Sequence, residues 1–108
     1  MNKTRIIKKA VKHYGKDNQL NVCIEELSEL IKELCKDKRG QANADHIAEE
    51  MADVCIMLGQ LSEIYQNTDA VNDWIIRKLL RLQFRMNAED SLKCRCRCSI
   101  LKRGHGHV

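Results

Sequence analysis

No proline interrupts the 108 residues of this chain, and only five glycines do. Proline is the strongest breaker of helices and glycine the next. Its β-branched residues are scattered rather than gathered into short alternating runs, which disfavours strands. The sequence therefore predicts an all-α fold. At this length the chain suggests one domain with a modest core, a short helical bundle completed by oligomerisation.

Spacing and punctuation place four helices. The first covers about Thr4 to His13 and ends before Gly15. The second runs from about Asn18, a plausible N-cap, to Lys38, with Gly40 as its stop. The third runs from about Ala44 to Gln66, with Asn43 or Asp45 near its start, and the fourth from about Asp69 to Asn87, with Thr68 as N-cap. In the second helix Leu20, Cys23, Leu27, Leu30, Ile31 and Leu34 form one stripe. In the third, Ile47, Met51, Val54, Leu58, Leu61 and Tyr65 do the same. Steps of three and four are those of a packed antiparallel helix pair. The fourth helix adds Val71, Trp74, Ile75, Leu79 and Leu82.

After Asp90 the chain reads SLKCRCRCSILKRGHGHV. Periodicity fades and basic residues cluster. The expected organisation is one all-α domain over residues 1–90, followed by a poorly ordered basic tail over 91–108. Cys94, Cys96, Cys98, His105 and His107 are metal-ligand types, but C-x-C-x-C separated by arginines is not a usual zinc spacing.

The net charge of +4 conceals an asymmetry. Residues 1–17 carry six Lys/Arg against one acid, residues 18–67 four against ten, and residues 68–108 nine against four. No Lys or Arg occurs between Arg39 and Arg77. An acidic centre between basic ends suits a metal with a polyanionic small molecule better than a nucleic-acid interface, so no specific nucleic-acid partner is expected. The N-terminus lacks the apolar stretch of a signal peptide, and no run approaches the roughly 18 residues that span a membrane. The chain reads as soluble and cytoplasmic, and its six cysteines as free thiols, with Cys23, Cys35 and Cys55 as small core residues.

Two segments carry the chemistry. EELSE supplies Glu25, Glu26 and Glu29 on the second helix, and EEMAD supplies Glu49, Glu50 and Asp53 on the third. Each pairs acids three residues apart, so Glu26 with Glu29 and Glu50 with Asp53 make two ledges that an antiparallel pair can set face to face. Charged, solvated helix faces are the simpler explanation of such runs, and they suit Glu33 and Asp37, which have Lys32 and Lys36 beside them. They suit the third helix poorly, because no basic residue accompanies its acids. Asp53 also opens the run Val54-Cys55-Ile56-Met57-Leu58, apolar all round and expected to be covered on both sides. Two carboxylates 4 Å apart repel by about 4 kcal/mol at an effective dielectric of 20. Converging acids of this kind require protons or cations, and hard oxygen ligands select Mg²⁺ or Mn²⁺. A metal there would hold phosphate oxygens and acidify a water, with Glu25 or Glu49 placed to accept its proton. Di-iron carboxylate bundles instead use Glu-x-x-His pairs, which neither segment contains. His13 and His46 have no catalytic partners nearby in sequence.

The pattern EELSE…EEMADVCIML resembles the ExxE…ExxD signature of the MazG-like all-α NTP pyrophosphatases, over about Leu20 to Arg85. The resemblance implies a helical bundle that forms homodimers or homotetramers and depends on Mg²⁺. It implies cleavage of an NTP or dNTP to the monophosphate and pyrophosphate. Its metal ligands carry over to Glu26, Glu29, Glu50 and Asp53. Lys78, Arg81 and Arg85 share one side of the fourth helix and correspond in part to a basic stretch that contacts phosphate or base. Leu82 stands where some members carry an asparagine. The alternative is a catalytically silent module of the same fold that binds nucleotides or a protein partner.

Overall fold

The structure, a computed structural model, describes residues 1–41 and 43–105, the side chains of 98–105 excepted. Four helices and no strand occur among these residues: α1 (Lys3–Tyr14), α2 (Lys16–Lys38), α3 (Ala44–Tyr65) and α4 (Thr68–His105). None is long and apolar enough to cross a membrane. The all-α bundle expected from the sequence is the observed fold.

Local chemistry sets the helix ends. The Asn2 side chain accepts from the Arg5 N–H at 3.1 Å and caps α1, which starts one residue earlier than expected. Lys16 opens α2 directly after Gly15, so Asn18 lies inside the helix and does not cap it. The stop at Gly40 holds. Its φ of 76° is left-handed, the Gly40 N–H donates to the Asp37 carbonyl, and the Gln41 N–H to that of Lys36. This is the paired C-terminal bonding of a Schellman motif, which glycine accommodates without a Cβ penalty. Asn43 caps α3 by accepting from the His46 N–H at 3.1 Å.

The chain divides into two compact units, Met1–Thr68 and Asp69–Val108. In the first, α2 and α3 form an antiparallel hairpin. Gln19 donates to Gln60 at 2.6 Å near its open end, and Glu33 approaches His46 near the turn. α1 lies alongside α3 in the same direction, its N-terminal side chains near Ala52 to Ile56 and its C-terminal ones near Glu63 and Gln66. Gly59 admits this approach, since a Cβ there would meet Ile7 Cδ1 at 2.9 Å.

The buried seam is narrower and more polar than the sequence stripes suggest. Val11, Cys23 and Met57 are its buried apolar residues, and Gln19, Glu33 and Gln60 are buried with them. Of the expected α2 stripe, Cys23 is buried and Leu20 and Leu30 are half-buried, but Leu27, Ile31 and Leu34 are exposed. Of the α3 stripe, Ile47, Val54 and Leu61 are half-buried, while Met51, Leu58 and Tyr65 are exposed. In the run after Asp53 only Met57 is buried, and Cys55, Ile56 and Leu58 are exposed within the single chain. Cys35 and Cys55 are therefore not core residues, although the five described cysteines are free thiols. Both helices are apolar on two flanks, and periodicity alone does not say which flank turns inward.

The second unit is α4 beyond its first residue. Its helix continues past Asn87, where the sequence suggested an end, to His105. Neither proline nor glycine interrupts residues 69–103, which are rich in Leu, Lys, Arg and other good helix formers. Its described side chains are exposed, including Val71, Trp74, Ile75, Leu79 and Leu82. Arg77 stacks its guanidinium over the Trp74 ring at 5.2 Å. Cys94 and Cys96 are exposed on this helix, while the side chains of Cys98 and His105, and all of His107, lie outside the described residues.

Candidate metal centre

The hairpin register decides which acids meet. With Gln19 opposite Gln60 and Glu33 opposite His46, the segments EELSE and EEMAD fall at the same level of the α2–α3 seam. Glu26, Glu50 and Asp53 each turn a carboxylate oxygen into a group whose members lie within 4.8 Å of one another. All three residues are half-buried. Of the first expected ledge Glu26 alone meets Glu50 and Asp53, and Met57 and Ile64, one and three turns on from Asp53, continue the covered side of α3.

Glu29 stands outside this three-way group, exposed on α2, yet its charge bears on both Glu26 and Glu50. Glu25 and Glu49 are exposed at the rim. Lys78, Arg81 and Arg85 lie on α4, in the second unit, and are exposed.

The cluster is short of positive charge. Burial pushes the Glu26 carboxyl above its ordinary value. The neighbouring Asp53 carboxylate raises it further, by its charge and by sharing a hydrogen bond, and Glu50 and Glu29 add to this. Burial also raises Glu50, followed by the charges of Asp53, Glu29, Glu49 and Glu33. The charges that bear on these two groups are those of acids. Glu50 Oε2 is moreover buried without any hydrogen-bond partner. A buried acceptor normally has a partner, so an orphaned carboxylate oxygen on a member of this acidic group marks a place for a cation or a proton.

A hard divalent cation fits this donor set. Three carboxylates supply only oxygen, the donor that Mg²⁺ and Mn²⁺ select. Ligands on opposite sides of a Mg²⁺ stand about 4.2 Å apart, so a 4.8 Å spread requires only small side-chain rotations. Glu26, Glu50 and Asp53 would hold the ion, with Glu29 a further acid whose charge reaches Glu26 and Glu50.

One buried acid departs from expectation. Glu33, expected on a solvated face, is buried in the seam. Lys36 donates to its Oε1 at 3.1 Å, and His46 Nδ1 approaches the same oxygen at 3.8 Å. The Lys36 hydrogen bond holds Glu33 below its ordinary value against the opposing effect of burial. The signal was present in the sequence: Glu33 follows Glu26 by seven residues and therefore shares its helix face.

Comparison with known proteins gave no match: no family model, no curated protein and no solved structure is significantly similar to this chain.

Proposed function

We propose that the protein is a Mg²⁺-dependent nucleoside-triphosphate pyrophosphohydrolase, with Mn²⁺ a possible substitute. It cleaves an NTP or dNTP to the monophosphate and pyrophosphate and works in the cytoplasm. The observation that carries this reading is the convergence of Glu26, Glu50 and Asp53, together with a buried Glu50 oxygen that has no partner. The resemblance of EELSE…EEMADVCIML to the MazG-like signature supports the choice of reaction.

When bound, the metal supplies electrostatic stabilisation of the phosphate chain and acidification of a water. Glu26, Glu50 and Asp53 hold it in place, and Glu29 extends the set. Glu25 or Glu49, at the rim, accepts the proton of the water that attacks phosphorus. The new P–O bond forms as the bond to the pyrophosphate oxygen breaks. Lys78, Arg81 and Arg85 are charged for phosphate binding. The exposed apolar residues of α2, α3 and α4 support a homodimer or homotetramer, since patches of this extent are normally covered.

Product analysis tests the reading. The full chain with Mg²⁺ is incubated with a panel of NTPs and dNTPs. Monophosphate with pyrophosphate is the expected outcome. Diphosphate with orthophosphate would replace this reaction with another hydrolysis. Binding without turnover would favour the silent binding module.

A further inference from the structure

Apart from the carboxylate cluster, the first unit carries an open groove between α1 and α3. It encloses about 470 Å³ and is lined by Lys3, Ile6 and Ile7 from α1 and by Ala52, Cys55 and Ile56 from α3, with Met1 at its end. This volume is in the range of small-molecule sites. Among these lining residues Lys3 has the one charged side chain. Ile6 and Ile56 are about half exposed, at 54% and 49%, so the groove presents greasy surface to water.

Its position relates it to the cluster. Ala52 immediately precedes Asp53, and Ile56 lies one turn beyond it, on the same flank of α3 as Asp53 and Glu49. The two features thus occupy neighbouring sides of one helical turn, on a helix about 10 Å across with its side chains. A molecule with phosphates at the carboxylates and a flat apolar ring at its other end can pass over the Glu49–Ile56 edge and set that ring in the groove. The Lys3 ammonium is a donor for a ring carbonyl or ring nitrogen.

We propose that the α1–α3 groove receives the nucleobase of the nucleotide whose phosphates bind at Glu26, Glu50 and Asp53. This rests on the function proposed above, and it assigns recognition of the base to α1 and the outer flank of α3.

Cys55, an exposed free thiol in the groove wall, reports occupancy directly. The full chain with Mg²⁺ is alkylated with iodoacetamide and labelling is followed peptide by peptide. The protein is free, or carries inorganic tripolyphosphate, or carries non-hydrolysable α,β-imido dNTPs of the four bases. At about ten times Kd, at least one nucleotide should slow labelling of Cys55 about tenfold while tripolyphosphate does not. Cys35, exposed on α2, should label equally throughout. Ile56→Asp, at a half-exposed position, should weaken nucleotide binding but not tripolyphosphate binding. Tripolyphosphate binding with no nucleotide protecting Cys55 would overturn the groove assignment and leave the metal–phosphate reading standing. Failure of both ligands to bind would overturn the two together. A Cys55 that resists labelling in the free protein would mean that another segment or a second copy fills the groove, which also overturns the proposal.

Discussion

Glu33 and Glu50 occupy the same α2–α3 seam and meet opposite treatment. Glu33 is buried with Lys36 at 3.1 Å and His46 at 3.8 Å, and its carboxyl lies below the ordinary value. Glu50 has a buried oxygen without a partner and only acids for charged neighbours, and its carboxyl lies above that value. A fold that needed only to neutralise buried carboxylates could have used lysine at both places. It does so at one and leaves the other open, which on the proposed function is the difference between an acid that closes a seam and acids that would take a cation from outside.

The largest expected effect comes from breaking the open end of this comparison. Glu50→Gln or Asp53→Asn should lower turnover by about 10²–10³-fold, the range seen when one group that stabilises transition-state charge is removed. Helicity by circular dichroism should be unchanged, because the substitution removes repulsion and no hydrogen bond to Glu50 Oε2 is lost. Unchanged turnover would end the metal-site assignment. Mg²⁺ should next raise the melting temperature, as a ligand that binds only the folded cluster does. At a hundred times Kd the gain is about 2.7 kcal/mol. Glu50→Gln should abolish that gain and Glu33→Gln should keep it. A melting curve indifferent to millimolar Mg²⁺ would count against a preformed site.

The closed end should respond in the other sense. Glu33→Gln removes the charge that holds Lys36 and His46, and should lower the melting temperature by several degrees with or without Mg²⁺. A loss seen only with the metal present would make Glu33 part of the metal site.

The same contrast fixes the pH dependence. Glu26 and Glu50 have folded values raised above the ordinary 4.5. They bind more protons folded than unfolded, so their contribution is complete below 4.5 and is lost as pH rises through the raised values. Glu33 is lowered from 4.5, so its contribution is present above 4.5 and is lost as pH falls through the lowered value. Metal-free protein should therefore lose melting temperature on going upward from pH 5. Mg²⁺ should remove that decline. The Glu33→Gln variant should retain the upward decline and lose the downward one. A metal-free protein that gains stability steadily from pH 5 to 7 would contradict the raised values.

The sequence made the helices legible because their signals are local: no proline, the Asn43 cap and the Gly40 stop. The meeting of Glu26, Glu50 and Asp53 was legible too, since two three-residue spacings on an antiparallel pair leave few registers. What escaped was which flank turned inward. Leu27, Ile31, Leu34, Met51 and Leu58 outnumber the buried apolar residues of the seam and suggested the core, yet they are exposed within the single chain. Burial of Gln19 and Gln60 was invisible for a related reason. Both are polar, and each is accommodated only by the other, on the facing helix.

The smallest effect is expected outside the unit that holds the seam. Deleting the residues after Asp90 removes the last stretch of α4, with Lys93, Cys94, Arg95, Cys96 and Arg97 exposed upon it. None of these belongs to the unit that holds the carboxylates, and none supplies buried area. Truncation should therefore reduce the helical signal only by the residues removed, and leave both turnover and the Mg²⁺-induced rise in melting temperature unchanged. If the truncated chain instead lost its metal response, the cluster would depend on the end of α4. The contrast between Glu33 and Glu50 would then no longer be a property of the α2–α3 hairpin alone.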